Sequence, residues 1–142
     1  MIDMLDQIIA IESLLKTLPQ SVFDITETMI DGVYVRSIII PEGSILTGKV
    51  HNFESIAILA YGTLALANGA EAKVITGPTI MIDEPGIKRL GKALTDCLFF
   101  TVHKYNGLIS EAETYLSSET PEDYLAIVKT ATNKNEAIKW LL

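Results

Sequence analysis

Two histidines, His51 and His103, are the residues of this chain best suited to chemistry. His51 stands three residues before Glu54, just ahead of an apolar stretch that ends at Gly62, and His103 lies in a later alternating stretch. Imidazole nitrogens and carboxylate oxygens are ligands for divalent transition metals. If the strands bring them together, His51, Glu54 and His103 form a weak metal site. Otherwise, each histidine is a hydrogen-bonded structural residue.

Basic residues offer partners for the carboxylate and for an anion. A buried Glu54 needs a cationic partner, Arg36 or Arg89, because an unpaired buried carboxylate neutralises or destabilises the fold. This pairing is favoured over general-base chemistry. Lys88 and Arg89 could bind an anionic ligand, since a guanidinium holds carboxylate or phosphate bidentately, but a solvated surface pair is the simpler interpretation. With no catalytic residue assigned, we expect a ligand-binding mouth formed by His51, Glu54, Arg36, Arg89 and His103.

Composition excludes several classes of function. The 142 residues are 49% hydrophobic, which predicts one domain with a buried core. A formal charge of −7 argues against nucleic-acid and anionic-membrane partners. The sequence has no Ser-His-Asp arrangement, phosphate-binding glycine loop or zinc-type cysteine spacing. The single Cys97 is interpreted as a small buried hydrophobe rather than a reactive thiol. Lacking a membrane-length apolar run and a basic signal-peptide start, the chain is expected in a bacterial host's cytoplasm or associated with a virion.

The spacing of apolar residues, which predicts the secondary structure that must position these side chains, changes along the chain from a helical to a strand period. Three- and four-residue apolar spacing predicts a helix over residues 3–17 with Glu12 on its wet side, stopped by Pro19. Asn68-Gly69 indicates a tight hairpin. Short strands with regular glycine and proline punctuation predict a barrel or sandwich. The predicted strands are Val33–Ile40, Ile56–Tyr61, Thr63–Ala67, Lys73–Thr76, Thr79–Ile82 and Leu98–Lys104. The predicted core positions are Ile38, Ile40, Ile56, Ile58, Leu64, Leu66, Ile80, Ile82, Phe100 and Val102.

The end of the chain returns to helical patterns. Ser110 and Glu113 have the spacing of a capping box, and Thr120 before Pro121 is typical of a helix N-cap. A last apolar helical stripe spans 137–142, and Ser117-Ser118-Glu119 is the best linker candidate. The expected organisation is an N-terminal helix over 1–19, a β-barrel over 20–108 and a C-terminal helical segment over 109–142, forming a single domain overall.

A series of short motifs gives a resemblance to known proteins. The motifs are PEGSILTGKVHNFE at 41–54, Tyr61-Gly62, EPGIKR at 84–89 and FTVH at 100–103. In this order they resemble a family of small cupin-like proteins, often encoded by tailed bacteriophages and prophages, that lack an assigned activity. The resemblance covers roughly residues 20–108. It implies a mainly β fold with flanking α elements: a small antiparallel cupin-like barrel of jelly-roll type, with an N-terminal helix and C-terminal helices.

The ligand pattern implied by this resemblance is incomplete. Cupin metal sites use about three imidazoles and a carboxylate. Ser55 stands where a second histidine is expected, and Lys88-Arg89 replace the later ligand histidine, where two cations would repel a metal. With two imidazoles in the chain, a three-histidine site is excluded. We therefore expect no cofactor, with a weakly bound divalent transition metal at His51, Glu54 and His103 as the alternative.

Two classes of function follow. The favoured one is a non-catalytic structural or accessory protein of bacteriophage type, acting through protein–protein contacts. The alternative is a cupin that binds a small molecule or metal, with isomerase or oxygenase chemistry. A homo-oligomer, with a dimer favoured, is expected because apolar stripes on the first helix and on 137–142 would leave a large exposed patch, which monomers rarely tolerate. A virion or host protein is the other candidate partner.

Overall fold

The chain is dominated by short antiparallel strands. The computed structural model describes residues 4–68 and 71–127. Its elements are α1 (Met4–Leu15), β1 (Asp24–Ile30), β2 (Val33–Ile40), β3 (Ile45–Thr47), β4 (Val50–His51), β5 (Ser55–Tyr61), β6 (Thr63–Ala67), β7 (Ala72–Thr76), β8 (Thr79–Asp83), β9 (Leu90–Ala93), β10 (Cys97–Lys104), a 3-10 turn (Ile109–Glu111), α2 (Ala112–Leu116) and β11 (Ser117–Ser118). A further helical stretch covers 121–127. The predicted last helix over 137–142 lies outside the described residues.

Two antiparallel sheets form the barrel. One has the order β1-β2-β10-β5-β8 and the other β3-β9-β6-β7, while β4 and β11 form a short separate pair. The chain crosses between the two sheets at Gly62, whose φ of +96° lies in the region that favours glycine. Side chains from both sheets share one core, so the sheets pack face to face. This core contains Ile40, Ala57, Leu59, Leu64, Leu66, Ile75, Ala93, Cys97 and Phe99.

The predicted core is right on some strands and shifted by one residue on others. Ile40, Leu64 and Leu66 are buried and Ile38 packs against them, as expected, and the buried interpretation of Cys97 is confirmed. On β5, β8 and β10 the prediction is wrong. Their inward residues include Ala57, Leu59, Phe99 and Asp83, which leaves Ile56, Ile58, Ile80, Ile82, Phe100 and Val102 on the opposite face. These strands carry apolar residues on both faces, so alternation could not show which face is inside.

The six residues that were wrongly predicted to be in the core form one surface. Cross-strand pairs join Ile56 to Ile82 and to Val102, and Ile58 to Ile80 and to Phe100. We call these six side chains the outer face of the five-stranded sheet. Ile80 is 70% exposed and Ile82 65% exposed. The molecule therefore presents an uncharged apolar surface built from strands.

Helix α1 is fixed to the barrel by an ion pair. The side chain of Lys88 is almost fully buried, and its Nζ donates to Glu12 Oε2 at 2.8 Å and to the Gly48 carbonyl oxygen at 2.7 Å. Thr47 Oγ1 donates to the same carboxylate oxygen at 2.6 Å. These contacts hold the pKa of Glu12 below its usual value although burial acts to raise it. The sequence predicts that Glu12 lies on the solvent-facing side of the first helix and that Lys88 is a solvated surface residue. Both predictions are wrong.

The segment after the barrel folds back onto it. The linker prediction for Ser117-Ser118-Glu119 is wrong, because Ser117–Ser118 pairs with β4, and Ser118 Oγ donates to Asn52 Oδ1 at 2.6 Å. The buried Asn52 also donates to the Tyr115 carbonyl oxygen, so it links both segments. The capping box is also wrong, because no side chain caps the 3-10 turn or α2. The Thr120 cap is confirmed, since its Oγ1 accepts from the Asp123 N–H at 3.1 Å.

The assignment of inward-facing and outward-facing residues can be tested by measuring the stability of variants. Leu59 lies wholly inside the core, whereas Val74 on β7 is 62% exposed. We expect Leu59→Ala to lower the free energy of unfolding by about 2–5 kcal/mol because it opens a cavity. Val74→Ala should change it by less than about 0.5 kcal/mol. Urea unfolding followed by circular dichroism measures both. Equal effects for the two variants would contradict this assignment of inside and outside.

Candidate functional site

A cavity of about 280 Å³, lined by both charged and apolar side chains, opens at one end of the barrel. Inward-facing side chains of β2 and β10 form one wall, β4 and the residues before β9 form another, and α2 reaches over the rim. The lining residues are Tyr34, Arg36, Ile38, Leu46, Thr47, Gly48, Lys49, His51, Arg89, Phe99, Thr101, His103, Glu113, Leu116 and Ser117. The volume corresponds to that of roughly nine water molecules, which is the scale of a small metabolite.

A buried ion pair lies against this cavity. Asp83 ends β8 and points inward, and its Oδ2 contacts the Arg89 guanidinium just before β9. The guanidinium also lies over the Phe99 ring, 5.1 Å from its centroid. Burial lowers the pKa of Arg89 to about 10, which still leaves it protonated at neutral pH. Pairing with Asp83 and stacking on Phe99 fix this cation at the cavity wall, where it can face a ligand.

The two histidines meet inside the cavity. The ring centroids of His51 and His103 are 6.0 Å apart. Ser55 Oγ lies 3.3 Å from His51 Nδ1, and Asp83 Oδ2 lies 3.7 Å from the same nitrogen. Burial, together with Arg89 and His103, lowers the pKa of His51 to about 3, and burial with Arg89 and Arg36 lowers that of His103 to about 4. Both imidazoles are neutral at pH 7.

Charged side chains surround the rim. Glu113 on α2 accepts a hydrogen bond from Lys49 Nζ, with Oε1 at 2.9 Å from that nitrogen. The same Oε1 lies 3.7 Å from Arg36 Nη1. The hydrogen bond from Lys49 holds the pKa of Glu113 below its usual value. Lys49 also contacts Glu119 at 2.7 Å. Among the cavity-lining residues, three cations accompany one carboxylate, Glu113, and Asp83 adds a second behind Arg89. Burial is the main cause of both lowered histidine pKa values, and the positive charge of Arg89 adds to it.

Four of the five predicted site residues line the cavity: Arg36, His51, Arg89 and His103. Glu54 is exposed and is not among the lining residues, and neither arginine takes it as its partner. The three-ligand set of His51, Glu54 and His103 is therefore not assembled. Within residues 4–68 and 71–127, no group of three His, Cys, Asp or Glu side chains could hold a metal ion. The donor set described here does not fit the metal centre that the resemblance implies.

Several lining residues were missed from the sequence. Tyr34 donates to Glu27 Oε2 at 2.6 Å, while Lys49, Glu113 and Thr101 complete the polar wall. Strand parity could have found two of them, since Tyr34 shares a face with Arg36, and Thr101 with His103. Glu113 could not be found in this way, because it reaches the rim only through the return of α2 to the barrel.

The cavity continues into the core. An apolar extension of about 80 Å³ adjoins it and shares five lining residues with it: Ile38, Leu46, Gly48, Arg89 and Phe99. The rest of its wall is formed by Ile40, Leu64, Leu66 and Gly91. The cationic cavity is therefore adjacent to an apolar space that shares part of its wall.

The fold is shared with solved structures of low sequence identity. An ectoine synthase from P. lautus superposes with a TM-score of 0.56 at 12% identity, over 72% of this chain and 83% of that one. A double-stranded β-helix domain protein from Klebsiella pneumoniae gives 0.52 at 12%, over 61% and 80%. KdgF from Halomonas sp. gives 0.51 at 8%, over 61% and 87%. No protein-family model matches the sequence, and no curated protein sequence matches it significantly.

These likenesses establish the architecture alone. The chain has the cupin-like double-stranded β-helix fold expected from its sequence, with helices before and after the main barrel strands in the chain. The neighbours differ in function, and identities of 8–12% carry no activity across. Across the described part of the chain, no helix has the length and apolar character needed to span a membrane.

The neutral histidines make stability depend on pH. Because the pKa of His51 is about 3 in the folded protein and 6.5 as its ordinary value, the unfolded chain binds a proton below pH 6.5 that the folded chain does not. The free energy of unfolding therefore falls as pH falls from 6.5 towards 3, by about 2 kcal/mol at pH 5 from His51 alone. His51→Gln should remove that part of the loss.

Urea unfolding of both proteins at pH 7 and pH 5 measures this effect. The contribution of the carboxylates is common to both proteins and cancels in the comparison. An equal loss of stability on acidification in the two proteins would contradict a neutral, buried His51.

Proposed function

We propose that this chain binds a small anionic molecule inside its cupin-like barrel. The observation that carries the proposal is the cavity at the barrel end, in which Arg36, Arg89 and Lys49 face two neutral imidazoles. Guanidinium groups suit carboxylate and phosphate oxygens because they offer paired donors in one plane. The proposal concerns binding and assigns no catalytic step.

Electrostatics favours an anion over a cation or a neutral ligand. Burial and the positive potential of Arg89 lower the pKa of both histidines, and Arg36 adds to this effect at His103. An anion placed between Arg89 and Arg36 would reduce that potential. It would also make protonation of the histidines easier. The neutral imidazoles add donors and acceptors that orient a ligand without adding charge.

Two substitutions at the rim should act in opposite directions. Arg36→Gln removes a donor and a positive charge, so the affinity for acetate or inorganic phosphate should fall about tenfold or more. Glu113→Gln removes the carboxylate that contacts both Arg36 and Lys49, leaving Glu119 as the partner of Lys49, so the affinity should rise. Isothermal titration calorimetry at low ionic strength measures both.

Lys92→Gln is the matched control, because Lys92 is exposed on β9 outside the cavity. This substitution makes the same change in net charge as Arg36→Gln. It should leave anion affinity unchanged. If neither anion binds the unmodified protein, or if the Arg36 and Lys92 variants lose affinity equally, the cavity is not an anion site.

A second candidate function is the accessory role of bacteriophage type that the resemblance implies, exerted through protein contacts. The outer face of the five-stranded sheet favours it, since soluble proteins rarely leave a contiguous apolar surface of this kind uncovered. A second copy of the chain fits this face best, because an uncharged surface can meet itself across a two-fold axis without pairing like charges. The virion or host protein partner and the host cytoplasm remain part of this proposal.

Self-association through this face is tested by adding charge to it. Ile80→Arg should dissociate the oligomer, because a guanidinium would be buried against apolar side chains. Val74→Arg, on a similarly exposed strand position of the other sheet, should not. Light scattering after size exclusion gives the mass of each protein. A monomeric unmodified protein, or an oligomer that survives Ile80→Arg, would argue against this interface.

A further inference from the structure

We infer that the ligand is a carboxylic acid with a short apolar chain, whose carboxylate lies between the arginines and whose chain enters the apolar extension. This inference rests on the proposed anion site and specifies its ligand. The polar cavity and the extension share Arg89, Phe99, Ile38 and Leu46, so a single molecule would occupy both. A compact inorganic anion would fill only the cationic part.

The extension has the chemistry of a chain-binding slot. Arg89 is the one charged residue on its wall, at the boundary with the cavity. Beyond it, Leu64 and Leu66 of β6 and Ile40 of β2 offer only aliphatic surface. An aliphatic wall offers water no hydrogen-bonding partner, so replacing water there with a hydrocarbon group is favourable. The wall therefore selects a hydrocarbon group over a second polar group.

Gly91 is the residue that keeps this space open. It lies in β9, and its φ is outside the positive region occupied by Gly32, Gly43, Gly62 and Gly86. A Cβ at Gly91 would lie 3.4 Å from Leu64 Cδ1 and 3.6 Å from Leu46 Cδ2, distances close to ordinary packing contacts. Neither the backbone nor a severe steric contact requires glycine here. The missing side chain is instead what leaves room for a ligand.

A series of straight-chain acids tests the inference. Acetate, butyrate and hexanoate differ only in the number of methylene groups, and their dissociation constants can be measured by calorimetry on the full chain. We expect affinity to rise about fourfold for each methylene until the extension is full. Gly91→Val fills the extension, so acetate should bind as before while the gain from acetate to hexanoate disappears.

The control is Ala65→Val, which adds methyl groups to the neighbouring strand β6 at a position that alternates with the buried Leu64 and Leu66. It should keep the full dependence on chain length. If Gly91→Val does not fold, Gly91→Ala should give a partial loss of the same dependence.

The outcomes separate the two proposals. Acetate, butyrate and hexanoate binding equally well to the unmodified protein would overturn the apolar-chain inference but leave the anion site intact. A chain-length dependence that survives Gly91→Val or Gly91→Ala would also overturn it, since the chain would then lie elsewhere. If neither the alkanoates nor inorganic phosphate bind, the anion site itself is wrong.

Discussion

The ion pair between Arg89 and Asp83 is the constraint on which the rest of the barrel interior depends. It joins the end of β8 to the start of β9 across the core, with Arg89 stacked on Phe99 from the facing sheet. Loss of one partner from a buried pair costs about 3–5 kcal/mol, because the other charge remains without compensation. The pair thus fixes a cation where a barrel of this size would otherwise be closed by aliphatic side chains. Both histidines and the cavity are arranged around it.

A second buried pair, between Lys88 and Glu12, serves architecture rather than ligand binding. Lys88 and Arg89 are adjacent in a segment just before β9, so one residue points out to α1 and the next points into the barrel. Two neighbouring cations therefore have unrelated roles, one holding a helix and one lining a cavity. Asn52 also has an architectural role, because its hydrogen bonds hold β11 and α2 beside the rim.

Sequence patterns predicted the type of fold and most of the strands but not the interior chemistry. The period change at Val33 and the ordered motifs from Pro41 to His103 were sufficient for a cupin-like barrel. The polar edge strand β1 was missed because pairing with β2, rather than burial, stabilises it. Asp83 follows apolar residues on β8, and only the parity of that strand places it inside. Glu54, by contrast, has the expected spacing but points to solvent, since spacing along the chain does not determine which way a loop residue faces.

The central claim, a positively charged cavity that accepts an anion, is tested most directly by titrating the two imidazoles by NMR. Their ring protons report each pKa separately, with His51→Gln assigning the signals. The account predicts a pKa of about 3 for His51 and about 4 for His103 in the free protein, and an upward shift of both when inorganic phosphate, which remains an anion over this pH range, is added. Values near 6.5 that do not respond to phosphate would contradict it, because they would mean that neither burial nor the arginine charge acts on these residues.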